Sequence, residues 1–212
     1  MGIRMDQVSF AYGEHMVLDH ISLTVKSGDR IGIIGTSGCG KSTMLKLLSG
    51  LYASQSGRVE VEGETEITKI RQKVAMVMQN AMLLPVSIKE NITCGHPMKE
   101  DCIQEAMEAA KLTEWIATLP DGMDTLVGER GNMISGGQAQ RIAIARAIAK
   151  HASVVLLDEA TSALDATTSE AVHMAIKNLT KGKTVLCVTH HMDNLINYDH
   201  IYRLEGGHLF DS

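Results

Sequence analysis

The chain has no basic excess: 20 Lys and Arg stand against 25 Asp and Glu, a formal charge of −5. That balance gives no support to a nucleic-acid-binding surface. Long apolar runs are missing as well. Runs beside the candidate motifs, such as Val154-Val155-Leu156-Leu157, fall far short of the ~18 residues that a membrane-spanning helix needs. The first residues, Met1-Gly2-Ile3-Arg4-Met5, hold no signal-peptide core and enter a strand pattern at once. Aromatics are scarce at 3%, whereas Met reaches 13 residues and reads as core filler or pliable surface rather than as a site. The four cysteines lack metal-type pairing, and their scatter fits a reducing cytosol. Cys94, Cys102 and Cys187 read as buried small hydrophobes. There is no internal repeat, low-complexity tract or linker. What is left is a composition ordinary for a globular protein, 44% hydrophobic and 21% charged, over 212 residues. That length carries a real core and one or two domains.

Against this plain background one stretch stands out. Gly35-Thr36-Ser37-Gly38-Cys39-Gly40-Lys41-Ser42-Thr43 reads G-x-x-x-x-G-K-S, a phosphate-binding loop. It follows the apolar run Arg30–Ile34, which reads as a buried strand, and precedes Met44–Leu48, which reads as a helix start. The motif needs that context. Its glycines let successive N–H groups turn inward around an anion, and the helix adds the positive end of its dipole. Lys41 is placed to reach the β- and γ-phosphates of a nucleotide, and Ser42 to ligate Mg²⁺. Cys39 is the one cysteine inside the loop.

Residues 3–10 and 16–25 alternate with a period near 2 and predict an antiparallel pair. Further strands are predicted at 58–62, 73–78, 154–157, 184–188 and 200–204. Helices are predicted at 41–49, 100–111, 113–118, 136–150, 169–179 and 191–196. Short β-branched runs alternating with helices imply a mainly parallel sheet covered on both faces. Residues 80–150 are mostly helical and read as an insertion. Arg141 and Arg146, on the 136–150 helix, read as salt-bridging residues.

A nucleotide triphosphatase also needs a carboxylate for Mg²⁺ and a group that positions or deprotonates water. Asp158 ends the apolar strand 154–157 and emerges at its C-terminal edge, where such sheets bind ligands. Its expected task is Mg²⁺. Glu159, one residue on, is the candidate general base.

Ile134-Ser135-Gly136-Gly137-Gln138, followed by Ala139-Gln140-Arg141-Ile142-Ala143, resembles the signature motif of ATP-binding cassette (ABC) ATPases, with Ile at the usual Leu position. Physically it is a second anion site at a helix start. The resemblance implies that two domains pair head to tail, so that Ser135, Gly136, Gly137 and Gln138 of one chain cap the ATP held by the other. Other family motifs follow in order over nearly the whole chain. By resemblance, Tyr12 stacks on adenine with Val17 beside it, and Gln79 is the Q-loop ligand of Mg²⁺ and water. Asp165, in Ser162-Ala163-Leu164-Asp165, belongs to the D-loop that crosses the dimer interface, and His190 contacts the γ-phosphate.

Leu83–Ile92 resembles the exporter segment ending in S-I-x-E-N-I, and Val127–Gly131 the exporter G-E-R-G loop. The resemblance implies a single cassette over 1–212. Its P-loop NTPase core comprises 1–79 and 151–212, with an N-terminal antiparallel β subdomain and an inserted helical subdomain at 80–150. It further implies ATP and Mg²⁺ as ligands, a second ABC domain in a homo- or heterodimer, and the membrane domain of an exporter as partner, at the cytoplasmic face of the membrane. Two alternatives compete. A non-transport ABC ATPase of repair, chromosome or translation type would bring coiled coils or a second cassette. A non-hydrolysing regulatory module is opposed by intact Glu159, Gln79 and His190.

Overall fold

The computed structural model describes residues 2–127, 134–160, 166–190, 195 and 197–212, with side chains described for all of these except 166–169. They form two compact units. The sheet unit comprises Met1–Met76, Ala152–Glu159 and Gly182–Ser212, and the helical unit comprises Val77–His151 and Ala160–Lys181.

In chain order the sheet unit contains β1 (Ile3–Tyr12), β2 (His15–Val25), β3 (Arg30–Ile34), α1 (Lys41–Leu48), β4 (Ser56–Val61), α2 (Ile67–Lys73) and β5 (Val74–Val77). The last residue of β5 already belongs to the helical unit. Then come β6 (Val154–Asp158), β7 (Thr184–Val188), β8 (His200–Glu205) and β9 (His208–Asp211). Two sheets result. The antiparallel one has the order β2-β1-β4, and the larger one β5-β6-β7-β3-β8-β9. In the larger sheet β6, β7, β3 and β8 run parallel, and β9 returns antiparallel on β8. The P-loop NTPase fold class read from the sequence is the one observed.

Alternation explains the small sheet: Ile3, Met5, Leu23 and Val25 point inward while their neighbours face water. Of the parallel strands, β6 and β7 instead read as near-continuous apolar runs, and every residue of β7 is buried. Helix α1 buries Met44, Leu45, Leu47 and Leu48 in the same core as Ile31 and Ile33 of β3 and Leu156 of β6. Each such side chain contributes about 1.5–3 kcal/mol relative to exposure. That burial locks the helix start, and with it the loop at 35–40, onto the sheet.

Gly57 holds β4 against an irregular stretch of β1. The β1–β4 register shifts between Asp6 and Ser9, and Gln7 adopts φ 49°. Gly57 itself has φ 73°, and a Cβ there would stand 2.2 Å from the Gln7 carbonyl oxygen and 2.4 Å from that of Asp6. Backbone cannot yield as a flexible side chain does. Gly57→Ala is therefore expected to cost about 3 kcal/mol, combining left-handed strain with overpacking. Gly63→Ala, at φ 79° with nothing near its Cβ position, is expected to cost about 1 kcal/mol. Urea midpoints of the two variants check the difference. Equal shifts would contradict the steric account.

The helical unit contains α3 (Ile88–Thr93), α4 (Glu100–Ala109), α5 (Thr113–Ala117), α6 (Gly136–Ala149) and α7 (Ala166–Thr180). Helix α6 packs against α3, α4 and α7. Its Ala143, Ala145, Ala147 and Ala149 are buried and small, which lets neighbouring helices approach. Helix α3 opens on a capping box: the Ser87 hydroxyl accepts from Glu90 N, and the Glu90 carboxylate accepts from Ser87 N. Helix α5 carries Trp115, the single Trp of the chain.

Three expectations need correction. Arg141 and Arg146 do not serve as salt-bridging residues in the described structure; their guanidinium groups bond carbonyls. Arg146 donates to Asn91 O at 2.8 Å, Asn91 Oδ1 at 3.0 Å and Met82 O at 3.0 Å. Arg141 donates to Gly137 O and to Lys111 O. Asn91 lies in the last turn of α3 and Lys111 just beyond α4, where helix carbonyls lack intrahelical donors, so a cation is the natural partner. Cys94 is exposed, at the left-handed C-cap of α3, and Cys102 is only half-buried; Cys187 alone is buried as expected. Finally, α2, α3 and β9 were not expected, and α7 begins at Ala166 rather than 169. The exporter-type loop at 128–131 and the D-loop at 162–165 lie outside the described residues. So does the helix expected at 191–196, except for Leu195, which is buried.

Candidate nucleotide site

The C-terminal edge of the parallel sheet gathers the loop and the two acids. Register aligns Ile33 of β3 and Asp158 of β6 with the same residue of β7, Val188. The chain then leaves each strand at the same level. Thr189 N donates to Ile33 O at 3.1 Å, and Glu159 N donates to Val188 O at 3.0 Å. Gly35, Glu159 and His190 thus all start from one row.

The loop runs from Gly35 through Thr36, Ser37, Gly38 and Cys39 to Gly40, the N-cap of α1. Gly40 has φ 109°, and a Cβ on it would lie 3.0 Å from Leu18 and 3.1 Å from Val17. Only glycine satisfies both the backbone angle and the space. Val17 therefore touches the loop at Gly40, which is its described place. Lys41 is nearly buried, at 7% exposure, and its Nζ donates to Gly35 O and Thr36 O, both at 2.8 Å. The ammonium lies within the curve of the loop.

Ser42 Oγ donates to Asp158 Oδ1 at 3.2 Å, joining the start of α1 to the end of β6. Burial raises the pKa of the Asp158 carboxyl, opposed by the Ser42 hydrogen bond; the neighbouring Glu159 raises it further, and Lys41 and Lys46 pull it down. Glu159 has φ 45°, a left-handed conformation uncommon for a residue with a side chain. Strain of this type recurs at functional positions, where it aims a side chain that a relaxed strand end would turn away. Glu159 Oε1 stands 3.0 Å from His190 Nδ1. When Nδ1 carries the hydrogen, the imidazole donates to the carboxylate and fixes its orientation. An open cavity of about 500 Å³ is lined by Gly35, Thr36 and His190 together with Arg203, Leu204 and Glu205 of β8.

Tyr12, 44% exposed, belongs to a ring cluster. Phe10 meets it edge-on at 5.1 Å, Tyr52 meets it edge-on at 6.0 Å, and Phe10 and Tyr52 stack at 5.4 Å. The Tyr12 hydroxyl is 3.4 Å from Thr43 Oγ1 in α1, and Lys46 lies over the Tyr52 ring at 5.6 Å. Edge-to-face contacts hold ring planes as well as bury area. Sequence reasoning missed Tyr52 and Lys46. The signal it could have used is scarcity: three of seven aromatic residues gather here.

In the helical unit, Ser135 caps α6 by a second capping box. Its Oγ accepts from Gln138 N at 3.2 Å, and Gln138 Oε1 accepts from Ser135 N at 2.8 Å. The box uses the Ser135 hydroxyl only as an acceptor, at the start of a fourteen-residue helix beside Gly136 and Gly137. Gln79, exposed, follows Met78 just beyond β5. The sheet unit thus brings together Tyr12, Val17, the 35–43 loop, Asp158, Glu159 and His190. Ser135–Gln138 and Gln79 belong to the helical unit, and Asp165 lies outside the described residues. Among the described residues no group of three His, Cys, Asp or Glu side chains is placed to hold a metal unaided.

Comparison with known proteins finds a family model, curated relatives and a solved structure. The family model described as "ABC transporter" matches residues 18–162. The ATP-dependent lipid A-core flippase of Burkholderia pseudomallei (strain 1710b) is 40% identical over 218 residues, covering 99% of this chain and 37% of the flippase. The sophorolipid transporter of Starmerella bombicola is 40% identical over 204 residues, covering 92% of this chain and 16% of that protein. The solved structure of a bacterial Atm1-family ABC exporter with ATP bound superposes with a TM-score of 0.87 at 34% identity, covering 98% of this chain and 37% of that one. The chain thus spans little more than a third of the flippase's length. With the family model covering most of its residues and the loop, acids and capped α6 set out as above, the chain belongs to the ABC transporter family.

Proposed function

We propose that this chain binds and hydrolyses ATP to drive export through an ABC transporter. One observation carries the reading: the Lys41 loop, the Ser42–Asp158 pair and the Glu159–His190 pair share one edge of one sheet. In this reading the loop N–H groups and Lys41 hold the β- and γ-phosphates. Tyr12, steadied by Phe10 and Tyr52, offers its face to adenine, with Val17 alongside. Ser42 and Asp158 present two oxygens 3.2 Å apart, a hard donor pair suited to Mg²⁺, which keeps waters and phosphate oxygens as its other ligands. The sequence pattern adds Gln79 to these ligands. Bound there, Mg²⁺ would neutralise phosphate charge and polarise the γ-phosphoryl group. Glu159 takes the proton of the attacking water, and His190 orients the carboxylate.

A second cassette completes the site. Ser135 spends its lone pair on the α6 cap and keeps its hydrogen for a phosphate held by the other chain, with Gly136, Gly137 and Gln138 adding the helix dipole. Asp165 is assigned to the crossing between chains. The partners are thus a second ABC domain and a membrane domain, and the location is the cytoplasmic face of a membrane. Export follows the flippase and Atm1-family relatives. Among the described residues no helix is long and apolar enough to cross a membrane.

Ser135→Asp tests the two-chain site. Aspartate caps a helix as well as serine, but it turns a donor into a charge that repels phosphate. ATP binding to dilute, monomeric chain is expected to stay unchanged, while turnover at high chain concentration falls by about 10²-fold or more. Equal weakening of monomer binding and turnover would place Ser135 in its own chain's site and defeat the head-to-tail reading.

A further inference from the structure

Gln140 is polar yet almost wholly buried in the helical unit, at 3% exposure. Burying a primary amide is unfavourable unless its hydrogens are paired. Both are. Gln140 Nε2 donates to Met78 O at 3.0 Å and to Ala160 O at 3.2 Å. Those acceptors are 62 and 20 residues away in sequence. Each lies where the chain has just left the sheet unit, which it does after Met76 and again after Glu159. Met78 precedes Gln79, and Ala160 follows Glu159. One side chain therefore clasps the backbone next to both residues.

Gln140 is also five residues into the segment that Ser135 opens, on a helix whose first turn is locked by the Ser135–Gln138 box. An α-helix is stiff over such a distance. A displacement of the Ser135 end is carried to Gln140, and through its two hydrogen bonds to the peptides beside Gln79 and Glu159. We propose that Gln140 is a positioning residue. It ties the Met78 and Ala160 peptides, the chain neighbours of Gln79 and Glu159, to α6. The inference rests on the functional reading above, because that reading gives Gln79, Glu159 and Ser135 their tasks. Gln140 touches no reacting atom.

Gln140→Met keeps length, volume and helix propensity and removes both donors. In the full chain, turnover at saturating ATP is expected to fall ten- to a hundredfold, about what an ångström of misplacement costs, with KM for ATP within about twofold. Arg146→Met is the comparison. It removes three bonds from the same helix, so its Tm should fall at least as far, while kcat stays within about twofold of the parent. Should Gln140→Met fail to fold, Gln140→Glu keeps the shape, offers the two carbonyls no amide donor, and is expected to show the same split. An unchanged kcat in a folded, ATP-binding Gln140 variant overturns the proposal. So does an equal loss of kcat in Arg146→Met, which would mean general loosening. Glu159→Gln run in parallel separates the two levels. If that variant turns over normally, the functional reading itself fails, whatever Gln140 does.

Discussion

Glu159→Gln is expected to lower ATP turnover by about 10²–10⁴-fold, the usual worth of a positioned general base. The change is nearly isosteric, so the strained backbone at φ 45° and the contact toward His190 at 3.0 Å can persist in altered form. What is lost is the ability to take a proton. On the proposed reading binding rests on the loop and Lys41, and it should be intact. On the same reading ATP should then close two chains on each other, and hydrolysis should no longer reopen them. Size-exclusion chromatography of the variant at high protein concentration with ATP should show a dimer that ADP does not support. A variant that remained monomeric would count against the two-chain site. One that hydrolysed ATP at the parental rate would remove Glu159 from the chemistry.

Lys41→Met is the second large effect, and it lies on binding rather than turnover. The Lys41 ammonium is the cation most deeply set in the loop, held 2.8 Å from two carbonyls. A charge-assisted hydrogen bond contributes about 1.5–3 kcal/mol, so losing the contacts to phosphate should weaken ATP affinity by about 10²-fold. Methionine fills the same space, which keeps the buried surroundings packed. The carbonyls of Gly35 and Thr36 lose their partner, so the loop should also lose order. Calorimetric titration with ATP, and with adenosine as a control, separates the contributions. Adenosine, assigned on the proposed reading to the ring cluster alone, should bind the variant as it binds the parent. Equal loss of both ligands would point to a collapsed loop instead of a missing charge.

Much of this site is legible in one dimension. The loop at 35–43, the acids at 158–159 and the capped start of α6 are contiguous motifs, because each is built by one turn of chain at the end of one element. The paired β1 and β2 are legible through alternation, and β7 through its unbroken apolar run. Elements that failed to show lack those marks. In α2 only Ile70 is buried, and no side chain caps its start. Helix α3 has six residues, too few for a helical period, although Ser87-Ile88-Lys89-Glu90 carries the capping-box spacing. Strand β9 has four residues, and its evidence was the Gly206-Gly207 pair between Glu205 and His208, a two-residue hairpin turn. The tertiary partnerships are written in no contiguous motif. Tyr52 stacks on a ring 42 positions away in sequence, Arg146 seeks carbonyls rather than acids, and Gln140 spans two distant turns of chain. Such pairings depend on which ends of which elements meet.

The placement of Trp115 has a practical consequence. It lies on α5, in the helical unit, and is the chain's only indole. All four tyrosines, Tyr12, Tyr52, Tyr198 and Tyr202, belong to the sheet unit. The two units are thus labelled by different native fluorophores. Light absorbed only by indole reports on the helical unit alone, and phenol emission reports on the unit that holds the phosphate loop. A stopped-flow record in the two channels could time the response of each unit to nucleotide without attaching a dye.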